Sequence, residues 1–371
     1  MGRTATRLMK AGLSALHYSG ASGLLAPLTR GDGVVFMMHR VSPQPTEAFE
    51  PNRILRVTPD FLERVIRQTI ARGFECISLD EVPARLAGPA RARPFACFTF
   101  DDGYRDNREH AFPILARYGV PYTLYVPTDY PDGRGVLWWL ELEAAIRAAD
   151  AVDVEVGGVP VRLPARSAPE KERAYDAIYW RLRDLPEVEA RAVVARLVAA
   201  ARLDTSGLCR ELVMSWDEIR EAAKDPLLTI GAHTCRHFAL SRLDAEEARR
   251  EMAASRARIE AEIGRPCRHF SFPYGCERAA GPREFALARE LGFATAVTTR
   301  KGLVTRGHAA TPTAIPRLSL NGDFQSQRYV DVMLSGVPFA MWNAARRVLG
   351  PAAARRRAGL VSPDRAATSN G

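Results

Sequence analysis

Apolar runs of strand length recur along the chain, each followed by a polar turn and then by a stretch with helical periodicity. The first is Gly33 to Met38; Phe74 to Leu79, Phe95 to Phe100 and Pro121 to Val126 follow. Apart from Glu75 and Ser78 in the second, they are apolar nearly throughout rather than alternating, which is how strands read when protein covers both of their faces. Between the first two, Thr58-Pro59-Asp60 supplies a helix N-cap, a proline at the first helical position and an early acid, and that helix stops at Arg72-Gly73. A further helix is expected from about Asn107 to Tyr118. Strand and helix alternating at such spacings predict a parallel sheet or barrel.

The rhythm breaks after Trp138-Trp139. Val152 to Leu163 alternates around Gly157-Gly158, a hairpin signal, and residues 169–203 read as helix, so about 138–212 is expected to be a helical insertion. A capping box at Ser215-Trp216-Asp217-Glu218 restarts the pattern. Strands at Leu227 to Gly231, Arg268 to Phe272, Phe293 to Thr298 and Ala314 to Leu320, with a helix from Asp244 to Gly264, bring the total to about seven β-α repeats. The chain thus divides into a basic amphipathic leader (1–30), an α/β barrel (31–320) and a helical, basic tail (321–371) whose Arg/Ala/Ser end is expected to be disordered.

Composition narrows the class. With 371 residues, 47% hydrophobic and 26% charged, the chain can bury a full core, and no apolar run of about eighteen residues suits a membrane span. The net charge of +9 sits at the ends. Residues 1–30 carry Arg3, Arg7, Lys10 and Arg30 and no acid; residues 340–371 carry six arginines against Asp364; the body between them is neutral. A neutral body argues against nucleic acid as a partner. Ser14, His17, Tyr18, Ser19 and Ser22 interrupt the apolar stretch that a secretory signal would need, so a cytoplasmic location is expected, and the basic ends suggest peripheral contact with an anionic membrane on its inner face. No pair of the six cysteines has C-x-x-C spacing, and free thiols are expected.

Four polar clusters fall where the apolar runs end: His39, Asp101-Asp102-Gly103, His233 with His237, and Pro273-Tyr274-Gly275. Taken singly, Asp-Asp-Gly reads as a turn capping a helix, and H-x-x-x-H as packed or surface histidines. Together they occupy the carboxyl ends of strands in one β/α array, where such folds place their chemistry. A four-residue spacing sets both histidine rings on one face of a helical turn. Two imidazoles and one carboxylate make a metal site of the catalytic type, with a position left for water, and the second carboxylate is then available as a base.

The stretch Thr99-Phe100-Asp101-Asp102-Gly103, the His233-Thr234-Cys235-Arg236-His237 segment and the Phe272-Pro273-Tyr274-Gly275 turn resemble the first three motifs of the NodB-homology polysaccharide deacetylases, carbohydrate esterase family 4. The resemblance implies a distorted (β/α)7 barrel with a helical insertion, which removes N-acetyl groups from N-acetylglucosamine-containing oligo- or polysaccharides with one divalent metal ion, usually zinc. By the same match Asp101 is the general base, Asp102, His233 and His237 hold the metal, and the main-chain N–H of Tyr274 helps to hold the oxyanion. Many family members carry arginine at the place of Ser271 and a late histidine as acid; here the late segment is Pro316-Arg317-Leu318-Ser319-Leu320. Met38-His39 is similar to the first-strand acid histidine of the biofilm poly-N-acetylglucosamine deacetylases, which makes His39 the acid candidate ahead of His269 and His308; the motif arrangement as a whole resembles that of poly-N-acetylglucosamine and chitooligosaccharide deacetylases. His110 reads as structural.

Tyr104, Tyr130, Tyr274, Pro273, Trp138 and Trp139 are expected on the loops around the same mouth, where aromatic rings pack on the apolar faces of sugars. For the two tryptophans, an anchoring role between insertion and barrel stays open. Alternatives to the polysaccharide reading are hydrolysis of an amide or formyl group on a lipid-linked amino sugar, and a degenerate sugar-binding barrel.

Overall fold

A computed structural model describes residues 3–89 and 93–345. Seven parallel strands close into a barrel: β1 (Gly33–Met38), β2 (Phe95–Phe100) and β3 (Tyr122–Val126) precede a hairpin of β4 (Ala151–Val156) and β5 (Val159–Pro164), and β6 (Leu228–Ala232), β7 (His269–Ser271), β8 (Thr295–Lys301) and β9 (Ile315–Ser319) complete it. Around the barrel the order is β1-β9-β8-β7-β6-β3-β2, and β2 returns to β1 in register from Gly33 opposite Phe95 to Met38 opposite Phe100. The expected strand at Phe74 to Leu79 is only Glu75–Cys76, paired with the first residues of β2 and outside the closed ring.

Alternation along each strand sorts the core into two layers. Val34, Phe36, Ala96, Phe98 and Phe100 point outward into the layer shared with the helices, whereas Val35, Cys97, Tyr125, Val297 and Ile315 fill the barrel. The expected N-cap opens helix α3 (Pro59–Ala71), where Thr58 Oγ1 accepts from Phe61 N–H at 3.2 Å. The insertion keeps a core of its own built on Trp138, Trp139, Tyr175 and Ile178, from helices α4 (Trp138–Ala148), α5 (Ala168–Leu182) and α6 (Glu187–Ala200). What read as one helical stretch over 169–203 is thus two helices, parted at Leu185-Pro186, because proline cannot continue the ladder.

Two amino-terminal helices, α1 (Arg3–Tyr18) and α2 (Ala21–Thr29), precede β1. Helix α1 packs on α9 (Gln327–Leu334), which follows the barrel, through Leu13, Tyr329 and Val332; α7 (Ala245–Ile263) and α8 (Pro282–Glu290) cover β6 to β8. No helix among the described residues is long and apolar enough to cross a membrane. All six cysteines are free thiols. The disordered end expected of the tail falls on residues outside the described ones.

Candidate functional site

Strand register explains where the two carboxylates go. Side chains 95, 97 and 99 of β2 point into the barrel, and Asp101, one step beyond the strand, keeps that direction. Asp102 then turns off with φ 72°, and Gly103 follows with φ 70°, so adjacent acids face different surroundings. Both are 2% exposed.

Asp101 meets a buried guanidinium. Arg317 of β9 donates from Nη1 to Oδ1 at 2.8 Å and from Nη2 to Oδ2 at 2.6 Å, a bidentate pair with the arginine shut off from solvent. Ser271 Oγ accepts from Arg317 Nη2 at 3.0 Å, and Arg317 Nε donates to the Thr298 carbonyl at 3.0 Å. Burial alone would raise the Asp101 carboxyl, but Arg317, with smaller help from His233 and His39, holds it far below the ordinary range. Arg317 was given no role from the sequence. The arginine that many family members place at Ser271 is here supplied two strands away, and the signal available was its own position in an otherwise apolar, inward-facing strand.

Asp102 faces the two histidines. His233 Nδ1 lies 2.6 Å from the Ser271 carbonyl, which accepts only, so that nitrogen carries the proton and Nε2 holds a lone pair. Nε2 of His233 and Nε2 of His237 lie 3.5 and 3.3 Å from Asp102 Oδ1, which forms no hydrogen bond. Burial lowers His237 to about 3, against the pull of Asp102, so the ring is neutral. A lone pair aimed at an unpartnered carboxylate oxygen inside the protein is repulsive unless a cation joins them. The donor atoms of all three residues lie within 4.8 Å of one another. Ligands about 2.0–2.2 Å from a tetrahedral zinc sit roughly 3.3–3.6 Å apart, and the Asp102-to-histidine separations fit that spacing.

The histidine pair does not sit on a helical turn as its spacing suggested. It is a loop beyond β6 with left-handed residues at Thr234 (φ 63°) and His237 (φ 59°), pinned where Thr234 Oγ1 accepts from His237 N–H at 2.9 Å. Tyr274 is left-handed too (φ 59°), and its N–H is not spent on a main-chain carbonyl. Of the five non-glycine residues with positive φ, only Arg202 lies elsewhere among the described residues. Such conformations cost on the order of 1 kcal/mol or more each and persist where surrounding structure enforces them.

His39, Asp101, Asp102, His233, His237 and Tyr274 line one cavity of about 510 Å³. The main chain of His39 is held by Asn107, whose Nδ2 donates to its carbonyl at 2.8 Å from a π-helical turn, Asn107–Ala111. The other acid candidates lie apart: His269 is buried beside Thr295 and Asp80, and His308 is in an exposed turn. His110 is likewise absent from the cavity wall.

The expected aromatic rim needs correction. Tyr104, Tyr130 and Trp138 are buried, not on a rim, and Pro273 is buried without lining the cavity. Trp138 Nε1 donates to Tyr274 Oη at 2.8 Å and Trp139 Nε1 to Tyr104 Oη at 3.3 Å, so each ring buries its apolar area and keeps a partner for its polar atom. Of these only Trp139 and Tyr274 reach the wall. The opposite wall is one face of α5: Glu172, Tyr175, Asp176, Tyr179 and Trp180, with Trp180 53% exposed.

The sequence profile described as polysaccharide deacetylase matches residues 89–296. No curated protein sequence matches the chain. Among solved structures, the fold is similar to that of the deacetylase PplD of Streptococcus pyogenes, in complex with acetate, at TM-score 0.53 and 16% identity over 81% of this chain and 97% of that one. It is also similar to IcaB from Ammonifex degensii, at 0.52 and 17% over 82% and 97%. A polysaccharide deacetylase from Bacillus cereus matches at 0.50 and 15% over 81% and 68%.

Proposed function

The chain belongs to the polysaccharide deacetylase family, of the NodB-homology type, hydrolases of carbon–nitrogen bonds other than peptide bonds, and from that premise we propose that it removes N-acetyl groups from N-acetylglucosamine units of an oligo- or polysaccharide. The observation that carries this reading is the pairing of two differently treated acids at the floor of one cavity. Asp102 sets an Oδ1 with no hydrogen bond beside two imidazoles, and Asp101 is kept ionised by Arg317.

In this reading Asp102, His233 and His237 hold a divalent metal, and their nitrogen and oxygen donors suit zinc. When bound, the metal supplies Lewis acidity toward water and the amide carbonyl. Asp101 takes a proton from the attacking water; Oδ1, which accepts only one hydrogen bond from Arg317, has a lone pair to spare. The free N–H of Tyr274 stabilises the oxyanion. His39 protonates the departing amine, since an amine anion is too poor a leaving group to go unprotonated. Trp180 of α5 offers a flat apolar face to a further sugar ring, while Tyr175 and Tyr179, which also line the cavity, are stacked on each other. The basic ends add peripheral contact with an anionic membrane.

Two measurements test this. Mass spectrometry of products from N-acetylglucosamine oligomers and from lipid-linked amino sugars should show loss of acetyl groups from the oligomers; products from the lipid-linked sugars alone would replace the polysaccharide reading. Elemental analysis should find about one equivalent of divalent metal in the wild type and in Asp101→Asn, which is inactive, and a loss of tightly bound metal in His237→Ala. A full equivalent retained by His237→Ala removes the ligand assignment.

A further inference from the structure

Thirteen large apolar side chains stand exposed among the described residues, and eight of them belong to residues 8–28 and 341–342. The two stretches are joined. Helix α1 packs along α9, and Thr29 at the end of α2 donates from Oγ1 to the Ser335 carbonyl at 2.6 Å, where segment 337–345 begins.

Helix α2 has no polar face to turn outward. From Ala11 to Thr29 the chain holds no Asp, Glu, Lys or Arg, and α2 itself reads Ala-Ser-Gly-Leu-Leu-Ala-Pro-Leu-Thr. Its Ser22 is buried against the protein, while Leu24 and Leu28, four residues apart and so neighbours on one face, are 81% and 85% exposed. Leu8 and Tyr18 of α1 add exposures of 70% and 74%, and Met341 and Trp342 are exposed beyond α9. A helix whose polar residue faces inward and whose leucines face out is inverted relative to what water selects.

Charge identifies the occupant. Arg7, Lys10 and Arg30 lie on either side of the leucines in the sequence, with the Lys10 ammonium over the Phe324 ring, no acid occurs in residues 1–30, and the sequence from 340 onward is again arginine-rich. A second copy meeting this face by two-fold symmetry would bring like charges together, whereas an anionic bilayer accepts leucines at the acyl boundary and bases at the headgroups. We propose that the α1–α2 hairpin is a peripheral docking surface for an anionic lipid bilayer, with Leu24 and Leu28 inserted. This deepens the membrane element of the reading above and is independent of which amide is hydrolysed. Because α2 leads straight into the first residues of β1, the docked end lies away from the strands' carboxyl ends and leaves the cavity open.

The test is co-sedimentation of the full chain with phosphatidylcholine vesicles containing about one-third phosphatidylglycerol, against phosphatidylcholine alone. Binding is expected to the anionic vesicles only, weakened about tenfold or more by raised salt and by the pair Leu24→Asp, Leu28→Asp. That variant should hydrolyse soluble N-acetylglucosamine oligomers at the wild-type rate, so a failed docking surface and a failed deacetylase reading give different results. Absence of sedimentation overturns the proposal, as does equal binding by the variant or by neutral vesicles. Self-association in gel filtration that the variant abolishes would assign the face to a second copy instead.

Discussion

Arg317 and Asp101 form a buried ion pair whose two members are worth most together. Removing one leaves an uncompensated charge inside the barrel, so Arg317→Ala should lower unfolding stability by about 3–5 kcal/mol, while the double variant Asp101→Asn, Arg317→Met should recover most of that loss. Chemical denaturation of the three proteins checks this, and a double variant no better than Arg317→Ala would mean that the arginine acts through Thr298 and Ser271 instead. His39 answers to kinetics. His39→Ala should reduce kcat by roughly two to four decades with KM little changed, as expected of an acid that acts only in the transition state. Near-normal turnover would return the residue to a structural role.

At the level of elements, the insertion does two things that its sequence presented as one. Trp138 and Trp139, the conspicuous aromatic pair, join α4 to the barrel from inside, and α5 supplies the exposed ring, Trp180. Trp180→Ala should therefore lower kcat/KM about tenfold for a tetramer of N-acetylglucosamine and leave the monosaccharide unaffected, measured by steady-state kinetics over chain length. A flat dependence on length would detach α5 from substrate. The strands, the hairpin and the acid and histidine motifs were legible because each is local: an apolar run, a Gly-Gly turn, a cluster at a strand's end. Three features were not. The partner of Asp101 is 216 residues away and meets it only when the barrel closes. The histidine loop depends on φ values that four-residue spacing does not encode, and which aromatic stays exposed depends on which polar atom found a partner.

For the molecule as a whole, a metal bound by the native state alone should couple to folding. Chelation is expected to lower the Tm of the wild type by several degrees and to leave His237→Ala unmoved, which differential scanning calorimetry reads directly. An equal drop in both proteins would place the stabilising ion elsewhere. The ring of strands carries a consequence of another kind. Strand β1 pairs with β2 on one side and with β9, the last strand, on the other. Its end delivers His39, and β9 delivers Arg317, so the surroundings of Asp101 draw on both ends of the barrel sequence. A ribosome making this chain releases Asp101, then the two histidines, and only after them the guanidinium that pairs with Asp101. Until then Asp101 has no reason to enter the interior, and a nascent chain is an unfinished ring with an open seam beside β1. During synthesis the Asp101–Arg317 pair therefore cannot form before β9 has emerged and the ring can shut.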